Sequence, residues 1–240
     1  MAPLPPRGGV THVSEFICDC KSLNAVKSLI SGSVQGYELF RECRVALRPA
    51  LPDKRGMITK AFQKGDAASE AVYSDCLAYR YSLTRVWDPA GPRLLYIMLN
   101  PSRATERQND PTVERCERRA RVLGYGAMRV MNIFAWRETD PRQLRRAADP
   151  VGAGNDALLL EGVAWADTVI AGWGVHGAHL GRGAAVAALL RGAGCEVRCL
   201  GLSKAGHPRH PLYIAYATQP VVWAIDEAGE GRQAAAKKGA

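Results

Sequence analysis

The sequence has no apolar run near the roughly 20 residues that a membrane-spanning helix requires. Its start, MAPLPPRGGVTHVSEF, lacks the continuous apolar stretch of a secretory leader. Both absences lead us to expect a soluble, cytoplasmic protein with no membrane partner. There is no CxxC pair: the seven cysteines are irregularly spaced, and neither Cys18-x-Cys20 nor Cys195-xxx-Cys199 has the spacing of a common zinc or iron–sulfur site. Free thiols in a reducing compartment are expected, and no metal. A Walker loop, a GxSxG elbow and an HExxH helix are all missing, so P-loop phosphoryl transfer, serine hydrolysis and zinc-peptidase chemistry have no support. GWGVHG (172–177) does match GxGxxG. It follows the third apolar strand, however, and Glu196 would open the next strand rather than end it, so no dinucleotide and no other cofactor is expected. Those glycines are expected to let a helix start close to the sheet, with an anion site at its N-terminus.

What is present is an ordinary globular balance, 47% aliphatic and aromatic residues against 23% charged, in a 240-residue chain. That length suits one main domain plus an appendage. The net charge of +9 leans toward polyanionic partners, because Lys and Arg neutralise phosphates and release counterions. The arginines cluster in ERCERRAR (114–121) and PRQLRRA (141–147). Arg115, Arg118 and Arg119 are candidate phosphate contacts, with a solvated helix face as the plainer reading.

Residues 1–70 show no sustained period and are read as an N-terminal extension. Residues 71–226 form the main domain, and 227–240 have little to bury and are expected to be mobile. LAYRYSLTRVW alternates apolar and polar residues, DPAGP supplies a turn, and RLLYIML follows, which predicts a hairpin feeding a buried strand. Beyond Asn100 the pattern repeats as strand, helix, strand. Asp110 and Pro111 make a cap-and-proline start, with Gly124 as the stop. AMRVMNIF, DTVIAGW and EVRCLGL are further strands. Between them lie a second cap-and-proline start at Asp140–Pro141, a longer helix through ALLLEGVAWA, and a helix over RGAAVAALLRGAG. Strands joined by helical crossovers imply an α/β fold, a central four-stranded parallel sheet with helices on both faces, plus an N-terminal hairpin.

Ligands in open parallel sheets lie beyond the carboxyl ends of the strands. Those ends deliver NPSRAT, NIFAWR, GWGVHG and SKAGHPRHPLY, from four separate segments. Asn100 can serve a ligand or simply end its strand in an Asx turn, and Asp110 can act as a base or only cap its helix. Asn132, inside the apolar VMNIF, needs partners once buried. Trp173 can line a cleft or fill the core. His207 and His210 compete for one role in a loop whose prolines fix the backbone, with Lys204 and Arg209 as donors. We expect Asn100, Asn132, Trp173 and one of these histidines to share one cleft.

From about Tyr73 to Tyr213 the chain resembles a bacterial and phage family, the domain of unknown function 1643, through RYSLTRVW, MLNPSRAT…NDPT, GYG, NIFAWRETDP, DPVGAGND, AGWGVHG and GHPRHPLY. More distantly, its order of Asn-Pro loop, strand-ending Asn, Gly-bearing third strand and His-Pro loop is similar to the uracil-DNA glycosylase superfamily. That resemblance implies a fold of the same kind. It places Asn100 and Pro101, followed by Ser102, on a water-positioning loop, Asn132 on base recognition, Trp173 and Gly174 at the third strand end, and His207 or His210 with Arg209 on the last loop. Leu212 would then wedge a duplex open. The implied reaction is hydrolysis of an N-glycosidic bond, with Asp110 available if true deprotonation of water is needed. A binding module that recognises a nucleotide or nucleic acid without cleaving it, and an enzyme of free nucleotides, remain alternatives. The sequence does not specify a protein partner.

Overall fold

The computed structural model describes residues 56–225 and 231–233. Cys18, Cys20 and most of the expected extension lie outside the described residues, as do 226–230 and 234–240. The chain forms a mixed α/β sheet built around β4 (Arg93–Met98). Five of the six residues of β4 are buried, as a strand covered on both faces demands. β4 pairs in parallel with β5 (Ala127–Asn132) on one side and β6 (Thr168–Gly172) on the other, and β6 pairs in parallel with β7 (Val197–Cys199). The expected four parallel strands are therefore present, in the order β5-β4-β6-β7, but the sheet is larger than four.

Antiparallel strands extend both edges. β1 (Met57–Lys64) and β2 (Ala67–Ser74) form a hairpin, and β2 pairs with β3 (Arg80–Val86). β3 pairs with β5. On the far side β8 (Val221–Ile225) pairs with β7, and β9 (Gly231–Gln233) adds to β8. Two expectations change here. Residues 57–70, read as extension, belong to the sheet, and residues 231–233, in the stretch expected to be mobile, form a strand, because the edge of β8 offers unpaired backbone groups. The hairpin is β1–β2, and β3 and β4 do not pair. β5 passes between them: the N–H groups of Trp87 and Asp88 both donate to the Gly126 carbonyl, and Gly126 N–H donates to the Pro92 carbonyl at 2.8 Å.

Helix α1 (Pro111–Val122) joins β4 to β5 and turns Val113, Cys116 and Ala120 onto the sheet, the i, i+3, i+7 stripe of an amphipathic helix. They pack with Leu94, Tyr96, Met98, Met128, Val130 and Ile170. Asp140 caps the four-residue α2 (Pro141–Leu144), and the longer α3 (Asn155–Trp165) begins separately after it. α3 and α4 (Arg182–Gly192) pack on the other face, against Leu95, Ile97, Met131, Val169 and Ala171. The chain leaves β4 toward β5 and then returns past it to β6, so the winding direction reverses between β4 and β6. That reversal makes the carboxyl ends of these strands the crevice of the sheet. No helix among the described residues is long and apolar enough to cross a membrane.

Candidate functional site at the strand ends

The loop after β4 is fastened rather than open. Asn100 Nδ2 donates to the carbonyls of Pro101 and Glu138, at 3.1 and 2.6 Å. Pro101 is buried, and the Ser102 hydroxyl pairs with that of Thr139 at 3.2 Å. Two buried arginines of β3 hold the rest of this loop: Arg80 donates to the Ala104 carbonyl, and Arg85 to the Thr105 carbonyl at 2.7 Å and Asn109 Oδ1 at 3.0 Å. Burial lowers the Arg80 pKa to about 10, opposed by the charges of Tyr73 and Asp110. Sequence reasoning passed over these arginines. The available signal is that Arg85 falls in phase with the apolar Leu83 of the same strand, on its inward side.

Asp110 ends the loop as the cap of α1, its Oδ1 accepting from Val113 N–H at 2.9 Å. The capping reading is therefore realised, and the second carboxylate oxygen makes no hydrogen bond among the described residues.

Asn132, the last residue of β5, is 2% exposed. It pairs across the ladder with Met98, whose side chain belongs to the α1 face, so Asn132 points to that face. Its carbonyl accepts from Asn155 Nδ2 at 3.1 Å, but its side-chain Oδ1 and Nδ2 are both buried without a hydrogen-bond partner among the described residues. An amide in that state costs about 1–3 kcal/mol per unsatisfied group.

The last loop crosses directly over the end of β6. Gly174, at φ +68°, donates its N–H to the Pro208 carbonyl at 2.8 Å, and a Cβ at Gly172 would meet Pro211 at 3.1 Å. Within the loop, Ser203 N–H donates to the His207 carbonyl at 2.8 Å, and His207 N–H to Ser203 Oγ at 3.1 Å. His210 caps the short 3-10 turn Pro211–Tyr213, its Nδ1 accepting from Leu212 N–H at 3.4 Å. Burial lowers the His210 pKa, and the negative charge of Asp110 opposes that shift. The turn packs against α1, which puts Asp110, Asn132 and His210 on one side of the sheet, at its carboxyl edge. His207 and Leu212 are half-buried, while Lys204 and Arg209 are exposed.

Several expected site residues lie elsewhere. Trp173 is 1% exposed and points into the α3/α4 core, with its ring 5.4 Å from that of Trp223. It packs in the core of that face, because side chains alternate along β6 and the residue after Gly172 must face the other way. The glycines of GWGVHG serve packing and turns. A 3-10 helix, Val175–Gly181, starts within that motif, and the α-helix α4 begins only beyond it, at Arg182.

Arg115 and Arg119, expected to hold phosphates, instead hold protein. Arg115 Nη2 donates to the Ile214 carbonyl at 2.7 Å, and Arg119 donates to the carbonyls of Ile214, Ala215, Tyr216 and Thr218. Both guanidiniums also lie over the Tyr216 ring. Arg118 pairs with Glu114 at 2.7 Å.

A model of the family described as Protein of unknown function (DUF1643) matches residues 80–212, more than half of the chain. The chain belongs to this family. The DUF1643 match starts at Arg80, the arginine that fixes the loop after β4, and ends at Leu212, beside His210. It therefore contains every residue of the strand-end site, while the β1–β2 hairpin and β8 fall outside it. No curated protein and no solved structure matches the chain.

Proposed function

We propose that this protein recognises a nucleobase, carried on a nucleotide or on nucleic acid, at the carboxyl edge of its parallel strands. The observation that carries this reading is the Asn132 amide, buried with donor and acceptor both unpaired at the end of β5. A base edge presents the complementary acceptor and donor side by side. The similarity to the uracil-DNA glycosylase superfamily, in the order of Asn-Pro loop, strand-ending Asn and His-Pro loop, supports the same assignment.

Hydrolysis of the N-glycosidic bond is the reaction this constellation suits. That reaction needs a leaving base stabilised as an anion and a water delivered to the anomeric carbon. Asn132 and His210 would serve the first need, and the uncommitted oxygen of Asp110 the second.

A second reading, recognition without cleavage, is favoured by one observation. The Asn100 amide, expected to position water, donates to two main-chain carbonyls instead. A free nucleotide as ligand is favoured by another, since Arg115 and Arg119 are not available to a long phosphate track.

Incubation with an oligonucleotide library and with free nucleotides, followed by mass spectrometry for released bases, tests these readings. Base release that is lost in Asn132→Leu supports the hydrolase. Binding without release supports the binding module, and steep weakening with salt marks nucleic acid over a single nucleotide. No binding of either ligand class overturns the proposal.

A further inference from the structure

Between the loop after β4 and the segment after β5, a cavity of about 310 Å³ opens, lined by Leu77, Ser102, Arg103, Arg137, Glu138 and Thr139 together with Trp136. Its size falls within the range of small-molecule sites. Its wall carries two guanidiniums in different states. Arg137 is fixed: Nη1 donates to the Leu77 carbonyl at 2.9 Å, and the cation lies 5.2 Å from the centre of the Tyr73 ring. Its Nε is buried without a partner. Arg103 is exposed and makes no hydrogen bond or ion pair among the described residues. Leu77 has φ +59°, a left-handed conformation that a branched aliphatic residue rarely adopts. Such strain concentrates at ligand sites, and here it accompanies the Leu77 carbonyl that fixes Arg137.

Glu138 shares the wall. Its Oε1 accepts from the N–H groups of Thr139 and Asp140, at 2.7 and 3.0 Å, which holds the carboxylate in place. Two guanidiniums suit a phosphate, yet a bare anion would meet this carboxylate. The ligand that satisfies both carries a hydroxyl donor beside its phosphate.

We propose that this cavity binds the sugar-phosphate part of a nucleotide, with the phosphate on Arg103 and Arg137, near the hydroxyls of Ser102 and Thr139, and a sugar hydroxyl donating to Glu138. Naming the ligand a nucleotide rests on the base-recognition reading above. The chemistry of the cavity itself requires only a phosphorylated sugar. The arginines that meet phosphate are then those of NPSRAT and NIFAWR, not those of the α1 helix.

Calorimetric titration of the full-length protein with ribose 5-phosphate tests this, with inorganic phosphate as a second probe. One saturable site is expected, and Arg103→Ala should weaken it by about tenfold or more, the effect of losing a charge-assisted hydrogen bond. Arg107→Ala removes an equal, exposed charge whose guanidinium stacks on Phe62 at 4.8 Å, and should change affinity by less than about twofold, the size of a screened surface charge. Glu138→Gln should weaken ribose 5-phosphate while leaving inorganic phosphate as tight or tighter. Trp136 fluorescence should report occupancy, a signal absent in Trp136→Phe.

Absence of saturable binding overturns the proposal, and so does equal weakening by the two arginine variants. Ribose 5-phosphate has no base, so Asn132→Leu should bind it like the wild type. Loss of nucleotide binding in that variant alone, or failure of ribose 5-phosphate alone, then tells the two readings apart.

Discussion

The guanidinium of Arg119 donates to the carbonyl oxygen of Ile214 at 3.0 Å, joining α1 to the segment that follows the His-Pro loop. The same buried group reaches the carbonyls of Ala215, Tyr216 and Thr218. Arg119→Ala should therefore destabilise the protein by about 3 kcal/mol, because the buried guanidinium and its packing are lost and the buried residue Ile214 loses its donor along with the turn that follows it. Arg119→Lys should recover little, since a point ammonium cannot span carbonyls that a planar fork reaches together. Arg118→Ala, one residue away on the exposed side, should leave the urea midpoint unchanged. Equal midpoints for the Arg119 and Arg118 variants would contradict the clamp.

The Asn132 amide sets stability against function. Asn132→Leu removes two unsatisfied buried polar atoms at similar volume and should leave stability unchanged or raise it by about 1–2 kcal/mol. Nucleotide or nucleic-acid binding should weaken in the same variant, toward the affinity of a ligand without a base. A loss of stability by more than about 2 kcal/mol in a thermal or urea melt would mean that the amide has a structural partner.

His210 should give stability a pH dependence of defined sign. An imidazole in the unfolded chain takes up its proton near pH 6.5, whereas burial delays protonation of His210 in the folded protein to lower pH. The unfolded state binds more protons in that window, so the contribution of His210 is intact above about pH 6.5 and is lost as pH falls through the lowered pKa. His210→Gln should flatten this part of the stability curve. Asp110→Asn keeps a capping residue on α1 but removes the charge that supports the imidazolium, so an NMR titration should find the His210 pKa lower still.

Gly177 tests the packing of GWGVHG. A Cβ there would overlap the Trp173 indole, so Gly177→Ala should destabilise by about 1–3 kcal/mol, the usual cost of overpacking. Near-ultraviolet circular dichroism should change with it, as the Trp173–Trp223 pair shifts. An unchanged melting temperature would place the indole elsewhere.

Much of the scaffold is local in origin and was legible for that reason. The apolar RLLYIML, AMRVMNIF, DTVIAGW and EVRCLGL encode the four parallel strands, and Asp110–Pro111 encodes the start of α1 through backbone preferences that act within a few residues. The carboxyl ends of those strands then follow from chain direction, which is why Asn100, Asn132, Trp173 and one of the two histidines were expected in one cleft; the sequence did not settle which face each side chain takes, and Trp173 lies in the core of the α3/α4 face. The neighbours of each strand were not legible. DPAGP promises a turn but does not say whether the strands it joins will pair, and β5 takes the place between β3 and β4 because β4, apolar on both faces, is covered with a ladder on each side.

The arginines show the same division more sharply. The chain states that α1 is rich in guanidinium, but the carbonyls that occupy Arg115 and Arg119 lie 95 to 99 residues away. The cavity around Arg103 and Arg137 likewise joins two loops that only the fold makes neighbours. Residue type and local period determined which groups exist and which elements carry them. Which guanidiniums bind protein and which are left for a ligand was decided by tertiary contacts, because a guanidinium takes as partner whichever acceptor the folded chain brings within about 3 Å.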